Sequence, residues 1–140
     1  MNKNILIELK GIHNDLQSDD GEPIITKAEG EYYYKERFHY LIYKVVEDGV
    51  VTSNRIKFND DYLLFRKKSD VLATMEFLAG EVTEAIYQMP GGKVKIDINT
   101  RALNVNVGEA NISISIKYEM MQGGKMVSIS ELAISVSQKS

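Results

Sequence analysis

From Ala110 to Met120 the chain alternates without a single error. Ala110, Ile112, Ile114, Ile116, Tyr118 and Met120 are apolar, and Asn111, Ser113, Ser115, Lys117 and Glu119 between them are polar. A period of two is the side-chain repeat of an extended strand, so one face of this segment meets an apolar interior and the other meets water. At about 3.3 Å per residue the segment is roughly 35 Å long, enough to bend around a barrel wall. Gln122, Gly123, Gly124 and Lys125 supply the permissive backbone of a tight turn, and a return strand follows. There Val127 and Ile129 share one parity while Leu132, Ile134 and Val136 share the other. One extra residue, a β-bulge at Ser130 and Glu131, accounts for that slip and implies a strongly curved sheet.

The same grammar extends back along the chain. Val94, Ile96 and Ile98 alternate with polar residues, as do Leu103, Val105 and Val107, and the pair reads as a hairpin turning around Thr100 to Ala102. Ile5, Ile7 and Leu9 form one face of a first strand, and a polar loop from Asn14 to Glu22 leads to a second strand at about Ile24 to Tyr34. The inner face of that second strand reads Thr26, Ala28, Gly30, Tyr32 and Tyr34. Further strands fit Phe38 to Val46, Val50 to Phe58 and Tyr62 to Arg66, with turn residues between them. Turn signals at such short intervals point to a sandwich or a barrel and away from βαβ units. One segment resists this reading. Val71, Met75, Leu78, Val82, Ile86 and Met89 recur at three- and four-residue spacing, as in an amphipathic helix. Two strands joined at Ala79 and Gly80 fit the segment as well, and Gly80 in mid-helix would cost about 1 kcal/mol relative to alanine.

With 140 residues the chain has the size of a single domain, taken as 1–140, and can bury a core without staples. Its 20 acidic and 17 basic residues are scattered and leave a net charge of −3, with neither a cationic stripe nor an acidic tail in the linear sequence. That argues against nucleic acid and anionic membrane as partners. Cysteine is absent, which removes disulfides and thiolate metal ligands together. The start of the chain has only three consecutive apolar residues before Glu8, too few for a secretory signal, so a cytoplasmic address is the expectation.

Candidate chemistry is sparse. His13 and His39 are the only histidines and have no neighbouring ligand at metal spacing, so no metal or other cofactor is expected. Asp15, Asp19, Asp20 and Glu22 lack the ligand order of a calcium loop, and Pro90 to Lys93 lacks the glycine spacing and the following helix of a phosphate loop. The aromatic run from Tyr32 to Tyr40 has the composition to stack bases, but Glu29, Glu31 and Glu36 set opposite charge among its cations, so sheet packing is the better reading. Tyr32 and Tyr34, beside Ala28 and Gly30, offer hydroxyls next to small side chains inside a barrel, one way to build a pocket with polar handles. Arg66 among Leu63, Leu64 and Phe65 needs a partner if it points inward, and Glu76 on the next strand is the candidate; an outward cross-strand pair is the alternative. No nucleophile stands beside a base, so a non-enzymatic role is expected.

The order of several short motifs resembles the YwiB-like group of small bacterial proteins of unknown function. These are Gly30-Glu-Tyr-Tyr33 leading to Tyr40-Leu-Ile-Tyr43, then Leu64-Phe-Arg66, Met75-Glu-Phe77 followed by Gly80, Tyr87-Gln-Met-Pro90 with Gly92, Thr100, and the closing pair of long strands. The chain departs from that pattern at Lys44-Val45-Val46 and at Lys68-Ser69-Asp70. The resemblance implies an all-β, antiparallel meander barrel of roughly eight to ten strands, lipocalin- or calycin-like, and it implies strand for residues 71–89. It brings no activity. The resulting expectation is a barrel that binds a small, partly apolar ligand inside, with Tyr32, Tyr34, Tyr43, Arg66, Glu76 and Tyr87 as candidate ligand-binding residues. The alternative is a solid-core interaction module, with a homodimer compatible, in which Val45, Val46, Val50 and Val51 form an apolar surface patch.

Overall fold

A computed structural model describes residues 3–15 and 23–139. Asp19, Asp20 and Glu22 of the acidic loop lie outside the described residues, as do the side chains of His13 and Asp15. Among the described residues ten strands run in order: β1 (Asn4–Asp15), β2 (Ile24–Lys35), β3 (Phe38–Glu47), β4 (Val50–Phe58), β5 (Tyr62–Lys68), β6 (Leu72–Leu78), β7 (Val82–Met89), β8 (Gly92–Val107), β9 (Asn111–Gln122) and β10 (Lys125–Gln138). Each pairs antiparallel with its sequence neighbour, and β1 also pairs with β10, which closes the sheet into a barrel. Closure removes most of the free edge, the main hazard of an all-β chain. The segment 71–89 is two strands, β6 and β7, and the short helical spacing within it has no helix behind it.

Among the described residues four hairpins turn on two residues, and at three of them both turn residues have positive φ: Glu36 and Arg37 (54° and 71°), Asp48 and Gly49 (50° and 78°), and Gly123 and Gly124 (60° and 79°). Mirror-image turns of this kind match the right-handed twist of the flanking strands. Only the first is built without glycine or aspartate.

Two parity slips in the sequence have different outcomes from those expected. Thr100 to Ala102 is not a hairpin, because β8 runs unbroken from Gly92 to Val107. Thr100 pairs with Tyr118 and Ala102 with Lys117, so Arg101 is the extra residue of a bulge. Arg101 turns outward, where its guanidinium donates to both Glu119 oxygens at 2.8 and 3.2 Å, and Asn99 Nδ2 donates to the same carboxylate at 2.9 Å. The second slip places no bulge at Ser130 and Glu131. The irregularity lies between Met126 and Ser128, leaving Val127 over, and a single parity then holds from Ser128 to Val136. Ser128 and Ser130 therefore face inward and are buried, while Val127 and Ile129 face solvent. Their partners explain the inversion: Ser128 lies opposite Met120 and Ser130 opposite Tyr118, so small hydroxyls make room for two of the larger inner side chains of β9.

The inner face is filled over only part of its length. Phe58, Phe77, Ile5, Ile7, Leu41, Ile56, Leu63, Ile98 and Ile112 are fully buried and form the bulk of the packed core. Eight strands give a bore that side chains just fill, and diameter grows with strand number, so ten strands need large residues at every inner position. At one end the chain does not supply them: Gly11, Thr26, Thr52, Asn54 and Ala73 occupy inner positions there, and the bore stays open.

Gly30 decides where the wall opens. Along β2 only Gly30 to Lys35 pair with β3, opposite Tyr43 to Phe38. Beyond Gly30, residues 24–29 pair with β1 alone, and Lys44 to Glu47 of β3 pair with β4 alone. A Cβ added at Gly30 would stand 2.5 Å from the Ile42 carbonyl oxygen, 3.0 Å from Tyr43 Cβ and 3.1 Å from Ile7 Cδ1. The missing side chain lets β3 press against β2 at the point where the two strands part.

Candidate functional site

The unfilled end of the barrel is a cavity of about 500 Å³. Leu9, Phe65, Met75 and Leu132 give it apolar walls, and Tyr43, Tyr87, Tyr118 and Asn54 bring polar atoms to the same surface. One flank is the slot between β2 and β3, with Ile24 and Thr26 on one lip and Val45 and Glu47 on the other. Strand parity positions each lining side chain. Tyr43, Asn54, Lys67, Ala73 and Tyr87 are successive cross-strand neighbours on β3 to β7, all on the inner face.

Burial sets the chemistry of the polar groups. It pushes the phenol of Tyr43 well above its ordinary range and raises those of Tyr87 and Tyr118, so all three remain neutral hydroxyls at physiological pH. For Tyr118, a hydrogen bond with Ser130 works in the opposite direction. Asn54, 4% exposed, donates from Nδ2 to the Thr52 carbonyl at 3.2 Å. That bond fixes the amide while leaving further hydrogen-bonding capacity in the wall. At the rim Lys67 supplies a cation, its Nζ 5.2 Å from the centre of the Phe65 ring. Glu47 and Glu131 supply carboxylates, Glu131 with Lys117 Nζ at 3.8 Å. The arrangement is a neutral, hydroxyl-bearing apolar hollow with charge only at its opening. Among the described residues, no three His, Cys, Asp or Glu side chains converge in a way that would hold a metal ion.

Of the residues singled out in the sequence, Tyr43 and Tyr87 line this cavity. Tyr32 and Tyr34 lie away from it, in a shallow hollow of their own with Tyr33 and His39. Tyr32 shares a hydrogen bond of 2.7 Å with His39 Nδ1, and Tyr34 is 58% exposed. Burial lowers the His39 pKa, partly opposed by the Asp60 carboxylate, which favours the neutral imidazole. Arg66 and Glu76 do not meet inside the barrel. Arg66 lies opposite Arg55 and Thr74 on the outer face, and Glu76, also outward, accepts the Tyr62 hydroxyl at 2.8 Å. Burial and that carboxylate push the Tyr62 pKa up to about 12.

Asn54, Lys67 and Tyr118 were not singled out in the sequence. Asn54 shares parity with Ile56 and Phe58, and Lys67 with Leu63 and Phe65. A polar residue in phase with a buried run was the available signal, and Tyr118 already stood in phase within the most regular strand.

A closed meander barrel with one hollow end defines the structural class of this protein. The chain belongs to the family described as a domain of unknown function (DUF1934), whose profile matches residues 7–134. Among solved structures it is similar to the ywiB protein from Bacillus subtilis, with a TM-score of 0.83 at 24% identity, covering 99% of this chain and 93% of that one. At that identity the likeness speaks for the fold. No curated protein matches the chain.

Proposed function

We propose that the protein is a non-enzymatic cytoplasmic binding protein that takes a small, partly apolar molecule into the hollow end of its barrel. The observation that carries this reading is the cavity of about 500 Å³, which falls in the size range of small-molecule pockets. Apolar walls with a few neutral hydrogen-bonding groups are the usual composition of such pockets, and Tyr43, Tyr87 and Asn54 supply those groups here. A compact molecule with a flat or branched hydrocarbon body and one or two hydrogen-bonding substituents fits that wall. Retained water is a poor alternative occupant for the apolar side, which gives a ligand a desolvation advantage.

The test is titration with the apolar fluorophore 1-anilinonaphthalene-8-sulfonate, followed by native mass spectrometry of the purified protein. Ala73 faces the cavity, so Ala73→Trp plugs it from the wall. The expected result is saturable fluorescence enhancement by the parent protein, lost in a folded Ala73→Trp variant. Absence of enhancement, or equal enhancement in the plugged variant, refutes the proposal.

A second reading rests on the tip of the β3–β4 hairpin, where Val46, Val50 and Val51 are exposed and Val46 lies opposite Val51. Such an apolar tip suits self-association. A molar mass that stays monomeric by light scattering at all concentrations excludes that reading.

A further inference from the structure

The outer face of β3 to β5 assembles a charge cluster that no linear stretch of the chain contains. Parity puts Lys44 of β3, Arg55 and Lys57 of β4, and Arg66 and Lys68 of β5 on this face. Arg55 lies directly opposite Arg66, and Ser53 lies between Lys44 and Lys68 in the same register. Like charges placed opposite each other on neighbouring strands cost stability. Among the described residues none of the five has a carboxylate within ion-pair distance. Of the three glutamates that dilute the aromatic run in the sequence, Glu29 lies 2.9 Å from Lys139 and Glu31 3.9 Å from Lys3, while Glu36 stands in the β2–β3 turn. A chain of net charge −3 thus presents a basic surface on one side, bordered on β6 by Glu76, which is hydrogen-bonded to Tyr62.

Flat rings are built into the same surface. Tyr33 stacks on Tyr40 with centroids 4.6 Å apart and planes at 11°, and the Arg55 guanidinium carbon lies 5.0 Å from the Tyr40 centroid. Lys57 Nζ lies 4.3 Å from the centre of the Phe38 ring. Tyr40 is the buried centre of this stack, while Tyr33 and Arg55 stay exposed. Exposed planar groups beside cations that track a chain of phosphates are the recognition chemistry of single strands.

We propose that this face binds single-stranded nucleic acid, the cations holding phosphates while Tyr33 and Arg55 stack on bases. An acidic peptide would match the charge but would have no use for the stacked rings. An anionic membrane surface would be repelled at the nearby hairpin tip, where Glu47 and Asp48 stand beside the exposed valines. A duplex needs an element that enters a groove, and the cations here lie on strands within the barrel wall.

The experiment is fluorescence anisotropy of the full chain with fluorescein-labelled oligo-dT and oligo-U of twelve nucleotides, between 50 and 200 mM KCl. If four or five phosphates are neutralised, the logarithm of the binding constant falls against that of the salt concentration with a slope of about −3. The double variant Arg55→Gln, Arg66→Gln is expected to lower affinity at least tenfold at 50 mM KCl and to flatten the slope by about 1.4. Removing facing like charges leaves its melting temperature no lower than the parent's, which separates lost binding from lost folding. Tyr33→Leu lowers affinity about tenfold with the slope unchanged, and Lys95→Gln, exposed on β8 across the barrel, changes neither. The two oligonucleotides distinguish a deoxyribose from a ribose source of the same chemistry. No binding at 50 mM KCl, or unchanged affinity in the folded double variant, overturns the proposal. So does equal affinity for polyglutamate or for phosphatidylserine vesicles, which would assign the face to another anionic partner.

Discussion

Replacing Gly30 by alanine tests the account of how the wall is built. The new Cβ would lie 2.5 Å from the Ile42 carbonyl oxygen, closer than real Cβ atoms approach any heavy atom, and would also crowd Tyr43 Cβ and Ile7 Cδ1. The first two obstacles are backbone and a Cβ, which no rotamer change relieves, so β3 itself must shift. Overpacking of this kind costs about 1–3 kcal/mol, and a backbone obstacle puts Gly30→Ala at about 3 kcal/mol. The reduced freedom of the unfolded chain returns about 0.4–1 kcal/mol, leaving a net loss of about 2 kcal/mol or slightly more. With a urea dependence of about 2 kcal/mol per molar, the unfolding midpoint should fall by about 1 M with its slope unchanged. Gly11→Ala is the matched control, because Gly11 also faces inward on a strand but has nothing within 4 Å of the added carbon. It should raise stability by about 0.5 kcal/mol. A Gly30→Ala protein as stable as the parent, or equal losses at both glycines, would refute the reasoning.

Three further outcomes follow from local geometry. Arg37→Gly relieves a side chain held at φ 71° in a two-residue turn and should stabilise the protein by about 1 kcal/mol, read by urea denaturation. Thr100→Val removes a buried hydroxyl that has no hydrogen-bond partner, keeps the shape, and should add about 1 kcal/mol by the same assay. The hydrogen bonds from Arg101, and then that from Asn99, hold the Glu119 carboxyl below its ordinary range against the opposing effect of burial. A depressed carboxylate stabilises the fold above its unfolded value of about 4.3 and ceases to do so as pH falls through the folded value. The melting-temperature advantage of the parent over Glu119→Gln should therefore be constant near neutrality and shrink below about pH 4.3.

Strand content and face assignment were legible because they rest on parity, and parity survives folding. Thr26, Ala28, Gly30 and Tyr32 sit on the inner side as their phase requires. What one strand cannot reveal is the identity of its neighbour. The slip between Ile98 and Leu103 and that between Ile129 and Leu132 look alike in sequence, yet the first is a bulge inside one long strand and the second reflects serines packed under Tyr118 and Met120. Register with β9 separates the two cases, and register is a tertiary property. The candidate site was half legible for the same reason: Tyr43 and Tyr87 share the cavity wall, whereas Tyr32 and Tyr34 lie toward the far end of strands that tilt across the barrel. Arg66 and Glu76 were read together as residues of neighbouring strands, but both face outward, Arg66 opposite Arg55 and Glu76 bonded to Tyr62. The basic surface was hidden most completely, since its members come from three strands and are brought side by side only by pairing.

The pairing of β1 with β10 has a kinetic consequence. Ile5 finds its partner in Gln138 and Asp15 in Ser128, so the seam joins segments separated by most of the chain. Loop closure over such a span is slow, and a nascent polypeptide leaving the ribosome must hold its first strand with one side unmatched until nearly everything else has been made. That waiting period is the time of greatest risk of sticking to other chains, and a prematurely terminated product would never leave it.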